Sequence, residues 1–378
     1  MTGQSTPTGA CRDPAFCANP NRSLHSITSP APPSGLARRF HQSLPGYSPT
    51  PLTSLPRLAD DLGLGAVLVK DESSRLGLPA FKMLGASWAV YRALADRCDS
   101  PPDPDLTSLR AALTDIDPVR LLTATDGNHG RAVARMARLL GLAATIVVPR
   151  AVPEAAVAHI RDEGADVQVL DVPYDEAVRR AAVMPTADPS LILVQDTSWP
   201  GYEQVPRWIV DGYATLFEEI EEQISTSGFA SGLMVVPAGV GSLAEAAAQF
   251  ARTPPYWDVV VVEPDTADCL WQSVAAGELI SVPTKETIMA GLNCGTPSAL
   301  AWPLLRDVLS GAVRVSDEEA AAAMRQLARE SVDSGACGAA TLAGLRALVR
   351  DDQARHALGL AAESTVLLLN TEGAASAV

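Results

Sequence analysis

The sequence predicts an α/β protein of two domains, with parallel or mostly parallel sheets flanked by helices. Three observations predict it. Short apolar, β-branched runs alternate with segments of helical period, the pattern of strands buried on both faces and joined by right-handed helical crossovers. The chain has 378 residues, more than one hydrophobic core usually organises. Two of the runs end in glycine-bearing polar turns that open into a helix, at the strand ends where such sheets place ligands.

In chain order, residues 1–35 are rich in Pro, Ser, Thr and Asn without a period. They read as a mobile or surface-draped arm, with ordered structure expected from Leu36 onward. Gly65–Asp71 reads as a strand, and Ala80–Asp96 as a helix with Leu84, Trp88, Tyr91 and Leu94 on one side. Strands follow at Leu121–Ala124, Ala144–Val148, Asp166–Leu170, Leu191–Val194, Leu233–Pro237, Asp258–Glu263 and Thr365–Asn370. Between and after them come helices at Arg131–Leu140, Tyr174–Ala182, Tyr213–Ile224, Leu243–Phe250, Asp317–Asp333 and Ala339–Val349. The expected division is an arm of 1–35, a large domain of 36–85 with 196–378, and a small domain of 86–195.

Composition narrows the chemistry. A net charge of −15 argues against nucleic acid and against anionic membranes, both of which need basic patches. No apolar run reaches the ~18–20 residues of a membrane span, and the N-terminus has no apolar signal core. The cysteines, at positions 11, 17, 98, 269, 294 and 337, lack CxxC spacing, so no metal site and a cytoplasmic setting with reduced thiols are expected. Only three of the 29 basic residues are lysines: Lys70, Lys82 and Lys285. Any chemistry that needs a lysine amine has three candidates.

Three segments carry chemistry. In Pro79-Ala80-Phe81-Lys82-Met83-Leu84-Gly85-Ala86 a lysine falls at or near a helix start in apolar surroundings. Desolvation lowers the pKa of such an amine and suits it to form a Schiff base with an aldehyde cofactor; a snorkelling surface lysine gives the same pattern. In Thr123-Ala124-Thr125-Asp126-Gly127-Asn128-His129-Gly130 a strand ends in a turn whose N–H groups can bind a carboxylate. Asn128 can donate to a ring hydroxyl there and Asp126 can transfer a proton, while Asp126 or Thr125 can equally serve as a helix N-cap. In Val236-Pro237-Ala238-Gly239-Val240-Gly241-Ser242-Leu243 a glycine turn after a strand suits a phosphate at a helix N-terminus, and also reads as a plain tight turn. The order of the three segments matters more than any one of them, since together they supply an imine, a carboxylate clamp and a phosphate anchor.

These segments resemble the lysine, asparagine and phosphate loops of fold-type-II pyridoxal-phosphate enzymes, the family of tryptophan synthase β and threonine dehydratase. FHQSLPGYSPTPLTSLP, VKDESSRLGLPAFK, PYDEAVRRA, VQDTSWPGYEQVPRWIVDGYATL, IMAGLNCGTPS and NTEG resemble the diaminopropionate ammonia-lyase branch, from about Phe40 to Gly373. The resemblance implies pyridoxal 5'-phosphate in the cleft between the domains, a homodimer, and α,β-elimination of 2,3-diaminopropionate to pyruvate and ammonia. It implies Lys82 as Schiff-base lysine and base, Asp126 as a base for the other enantiomer, and Asp175 as a further active-site acid. It places the cofactor on Phe81, Lys82, Asn128, Gly239, Val240, Gly241, Ser242, Leu243 and Asn370, and the substrate carboxylate on Thr125, Gly127 and His129. Cys269 and Cys294 match positions that can form a disulfide near the site's mouth.

The sequence departs from the family at Pro79, where Asn is usual, and at Asn370, where a serine beside the pyridine nitrogen is expected. An amide N–H at 370 can still donate to that nitrogen. Only five residues follow Gly373, where the family has a longer tail. These departures admit two alternatives: a β-replacement synthase making a β-substituted alanine, and a catalytically silent cofactor-binding protein.

Overall fold

The computed structural model describes residues 14–23, 35–125 and 127–374. The strands are β1 (Phe16–Ala18), β2 (Leu52–Ser54), β3 (Ala66–Asp71), β4 (Arg120–Ala124), β5 (Ala143–Pro149), β6 (Asp166–Leu170), β7 (Leu191–Leu193), β8 (Leu233–Pro237), β9 (Asp258–Pro264), β10 (Gly311–Val315) and β11 (Thr365–Asn370). They form a seven-stranded sheet of order β1-β10-β9-β8-β11-β3-β2 and a four-stranded sheet of order β6-β5-β4-β7. The small sheet is wholly parallel. The large sheet is parallel from β10 to β3, with antiparallel strands at its two edges.

The central strands explain the arrangement. LMVVP in β8 and TVLLLN in β11 are buried along their whole length, so both faces of the sheet need covering, and helices supply the cover. Among the described residues no helix is long and apolar enough to cross a membrane.

Several expectations need correction. Part of the N-terminal segment is a strand: Phe16–Ala18 pairs with β10, and Asn19 anchors it through its amide to the Arg306 and Leu309 carbonyls at 2.7 and 2.8 Å. Residues 1–13 and 24–34 lie outside the described residues. β10 had no place in the sequence reading because Gly311 and Arg314 interrupt its apolar run. Arg314 is accommodated by an ion pair to Asp268 at 2.8 Å and by the Trp271 ring, 4.3 Å from its guanidinium carbon. The helix expected at Tyr213–Ile224 runs Gln204–Ser227. Pro206 hid its start, yet a proline is tolerated in a first turn, where no N–H is needed.

The helix that begins at Lys82 (Lys82–Ala95) crosses the long helix Gln204–Ser227 at a pair of glycines. A methyl group on Gly212 would lie 2.6 Å from the Leu84 carbonyl oxygen, and one on Gly85 would lie 2.6 Å from the Tyr213 ring. The crossing therefore admits no side chain at either place. His41 locks it from the side, with Nε2 donating to the Leu84 carbonyl at 3.0 Å and Nδ1 accepting from Thr215 Oγ1 at 2.8 Å. Burial, helped by the Arg75 charge, pushes the His41 imidazole down to about 3, so the ring is neutral and this single tautomer satisfies both contacts.

Gly212→Ala is expected to force the two helices apart and cost about 1–3 kcal/mol, as overpacking of a filled core does. A urea midpoint unchanged from wild type would show that the crossing is looser than these distances state.

Candidate active site

The three lysines have different fates. Lys70 lies in β3 with no exposed surface, its Nζ bonded to Glu219 Oε2 at 2.8 Å, the Thr50 carbonyl at 2.8 Å and Gln223 Oε1 at 3.0 Å. Arg75 and Glu72 complete that buried network, so Lys70 is a structural charge. Lys285 is on an exposed loop. Lys82 differs from both: it is the first residue of its helix, with 29% of its side chain exposed and a carboxylate beside it.

The partner of Lys82 is Asp196, whose Oδ2 is 2.9 Å from Nζ. Asp196 lies just beyond the carboxyl end of β7, and Gln195 Nε2 donates to its other oxygen at 3.2 Å. Burial pushes the Asp196 carboxyl up, but His129 and Lys82 together outweigh it and hold the group well below the usual carboxylate range. Asp196 is therefore an anion. His129 Nε2 faces the Val194 carbonyl at 2.8 Å and must donate there, which turns Nδ1 toward Asp196 at 3.8 Å. The Tyr213 hydroxyl is the fourth member. Burial holds it up at about 12, with Lys82 pulling it down and Asp196 pushing it up. Its ring packs against Phe81, centroids 4.8 Å apart.

Asp196 and Tyr213 were missed as site residues, although both lie in quoted motifs. The usable signal for Asp196 was a carboxylate directly after a parallel strand. Asp126 lies outside the described residues.

The asparagine turn opens the helix Asn128–Leu140. The Thr125 hydroxyl oxygen accepts the Gly127 and Gly130 N–H groups, each at 3.0 Å. Thr125 thus closes the turn internally and takes up the Gly127 N–H, which removes Gly127 from the expected substrate-carboxylate set. His129 is turned to Asp196 by its side chain and offers only its first-turn N–H, as Asn128 does. The Asn128 amide donates to Glu372 Oε2 at 3.1 Å.

The phosphate turn opens the helix Ser242–Ala251, which starts without a side-chain cap. Its Gly241 has φ of 101°, and a methyl group on Gly239 would lie 2.9 Å from Cys294 Sγ. Val240 is tied through its carbonyl to the Ser298 N–H at 2.8 Å. The turn Gly239–Leu243 therefore leads into an uncapped helix start, whose first-turn N–H groups and dipole suit a phosphate.

Two expectations fail on geometry. Asp175 is exposed in the first turn of the helix Tyr174–Ala187. It is the neighbouring Tyr174 that reaches the site, its hydroxyl accepting from Gln195 Nε2 at 3.2 Å. Asn370 is buried, but its two amide hydrogens go to Asp71 Oδ1 at 2.8 Å and the Asp333 carbonyl at 2.7 Å, while its oxygen accepts from Ser334 at 2.7 Å. Two acceptors flanking Nδ2 fix the amide's orientation, and no N–H is left for a ring nitrogen. Cys269 and Cys294 are not joined by a disulfide in this structure. Cys269 is buried and donates to Glu263 Oε1 at 3.6 Å; burial, then Glu263, raises its thiol pKa and keeps it protonated.

Comparison with known proteins decides the family. A family model described as "Pyridoxal-phosphate dependent enzyme" matches residues 44–372. The chain belongs to this family. Its cofactor is pyridoxal phosphate, and its fold is that of fold type II. The pyridoxal-phosphate dependent enzyme is 37% identical over 351 residues to the diaminopropionate ammonia-lyase of Escherichia coli, covering 89% of this chain and 87% of that one. It is 38% identical over 360 residues to the Salmonella typhimurium enzyme of the same name, covering 88% and 87%. The crystal structure of the Escherichia coli ammonia-lyase in complex with D-serine matches with a TM-score of 0.87 at 35% identity, covering 95% of this chain and 94% of that one.

The residues present fit the cofactor. A partly exposed amine beside a carboxylate, a glycine-bearing turn after a strand, and an uncapped helix terminus match an aldehyde and a phosphate.

Asp196→Asn removes the carboxylate beside Lys82 Nζ. In cofactor-free protein the Lys82 amine is expected to titrate at lower pH than in wild type, read from the pH dependence of its acylation by mass spectrometry. An unchanged midpoint would disprove the pairing.

Glu263 gives a second test. Burial pushes its carboxyl from the usual 4.5 up to about 8, against the N–H groups of Leu270 and Trp271. A proton bound more tightly in the folded state stabilises below the ordinary pKa, and that stability is lost as pH rises through about 8. Urea unfolding across that window should show wild type losing stability relative to Glu263→Gln; parallel profiles would contradict it.

Proposed function

We propose that this chain is an ammonia-lyase that eliminates the β-amine of 2,3-diaminopropionate, releasing pyruvate and ammonia. The observation that carries the reading is the Lys82–Asp196 pair at 2.9 Å together with the glycine turn, in a chain similar along nine-tenths of its length to enzymes so named. Bound pyridoxal phosphate supplies an electron sink for the charge left at Cα when its proton is removed.

In this reading Lys82 holds the cofactor through its amine, and the N–H groups of Gly239 to Leu243 bind the phosphate. Phe81 flanks the lysine, Asn128 orients the ring oxygen, and the first-turn N–H groups of Asn128 and His129 bind the substrate carboxylate. Lys82 Nζ takes the α-proton. The resulting ammonium is stabilised by the Asp196 carboxylate and gives a proton to the departing β-amine, so one nitrogen serves both transfers. Asp196 stays ionised throughout and is not itself the acid. Asp126 is the base proposed for the opposite enantiomer, following the family resemblance.

The four-stranded sheet fits a small domain of residues 86–195 and the seven-stranded sheet a large domain of 36–85 with 196–378. The scattered cysteine spacing, without CxxC, supports a reducing compartment, and we place the enzyme in the cytoplasm as a homodimer.

Purified protein loaded with cofactor should release pyruvate from diaminopropionate, and Lys82→Ala should abolish both this and the visible absorption of the bound cofactor. No pyruvate from either enantiomer would refute the substrate; a new amino acid formed with added amine or thiol would favour β-replacement.

A further inference from the structure

Glu372 has no role in the chemistry above, yet its carboxylate joins three elements of the site. The chain leaving β11 runs antiparallel to the segment before Lys82, with Phe81 N donating to the Thr371 carbonyl at 3.1 Å and Gly373 N to the Pro79 carbonyl at 3.0 Å. From this anchored backbone the Glu372 side chain reaches two further helices. Oε2 accepts from the Asn128 amide at 3.1 Å, and Oε1 accepts from the Cys337 N–H at 3.3 Å, in the first turn of the helix Ala336–Arg350. That N–H has no acceptor within its own helix, so a carboxylate there also caps a helix start.

We propose that Glu372 is a positioning residue for the cofactor, which fixes the Asn128 amide so that its second N–H is offered to the ring oxygen. The inference rests on the reading that Asn128 meets that oxygen. Among the described residues the Asn128 side chain has no other hydrogen-bond partner, so one bond to Glu372 sets its orientation. The residue type matters. Two donors, Asn128 and Cys337 N–H, converge on two oxygens, and only a carboxylate accepts at both ends. A glutamine placed there must turn its amide nitrogen toward one of the donors and lose that bond. The backbone pairing of residues 371–373 does not depend on the side chain, so Glu372→Gln leaves the chain path in place.

The test reconstitutes cofactor-free protein with pyridoxal phosphate and reads its Kd from the visible absorption, together with the pH titration of that band. The forms are wild type, Glu372→Gln, Glu372→Asp, Asn128→Ala and the double variant Asn128→Ala with Glu372→Gln, with far-ultraviolet circular dichroism confirming folding. Glu372→Gln should weaken cofactor binding by about tenfold, the scale of a lost charge-assisted hydrogen bond, and move the band's titration. Glu372→Asp, too short to span both donors, should do the same and serves if the glutamine form fails to fold. In the Asn128→Ala background the glutamine change should alter Kd by less than about twofold, because its effect passes through the missing amide. Losses that multiply in the double variant, or a Kd within about twofold of wild type in every folded Glu372 variant, overturn the proposal. A wild-type protein that takes up no cofactor would overturn the underlying reading as well, whereas normal wild-type binding with indifferent Glu372 variants would sink this inference alone.

Discussion

The contact of the Lys82 helix with the long helix Gln204–Ser227, glycine against glycine, sets the frame for everything around Lys82. Because Gly85 and Gly212 bring the two backbones together, Tyr213, one residue along, comes up against Phe81 and the lysine. A bulkier crossing would lift the first turn and carry Nζ away from Asp196, which follows β7 of the four-stranded sheet. Burying two charges near each other is favourable only when the geometry is good, since several kcal/mol of desolvation must be recovered by the pairing. The helix crossing supplies that geometry.

The structure holds two lysine–carboxylate pairs of opposite character. Lys70 is enclosed by Glu219, Thr50 and Gln223, with Arg75 and Glu72 alongside, and every donor finds an acceptor in the dry interior. Lys82 has a carboxylate too, but part of its side chain is exposed. The same pairing that immobilises one amine leaves the other oriented and reachable. Burial therefore separates a structural lysine from a reactive one, where residue type does not.

Much of this could be read from the chain. Alternating apolar runs gave the parallel strands because those runs are buried on both faces, and the lysine, asparagine and glycine turns fall at strand ends and helix starts. Contacts between distant segments were beyond reach. Asp196 is 114 residues from Lys82, and only the fold brings them together. Asp175 was drawn from a motif whose neighbour, Tyr174, points inward while Asp175 faces solvent; on a helix, adjacent positions diverge by about 100°. Asn370 had the right chemistry for a ring nitrogen, but its hydrogen-bonding capacity is filled by Asp71, Asp333 and Ser334, and no local pattern records that saturation.

The short strand at Phe16–Ala18 has a bearing on solubility. It seals the outer rim of β10, which would otherwise present a row of unpaired peptide groups beside an apolar sheet. A protein clipped after Asn19 would lose this selvage, and neighbouring molecules would then compete to supply the missing strand.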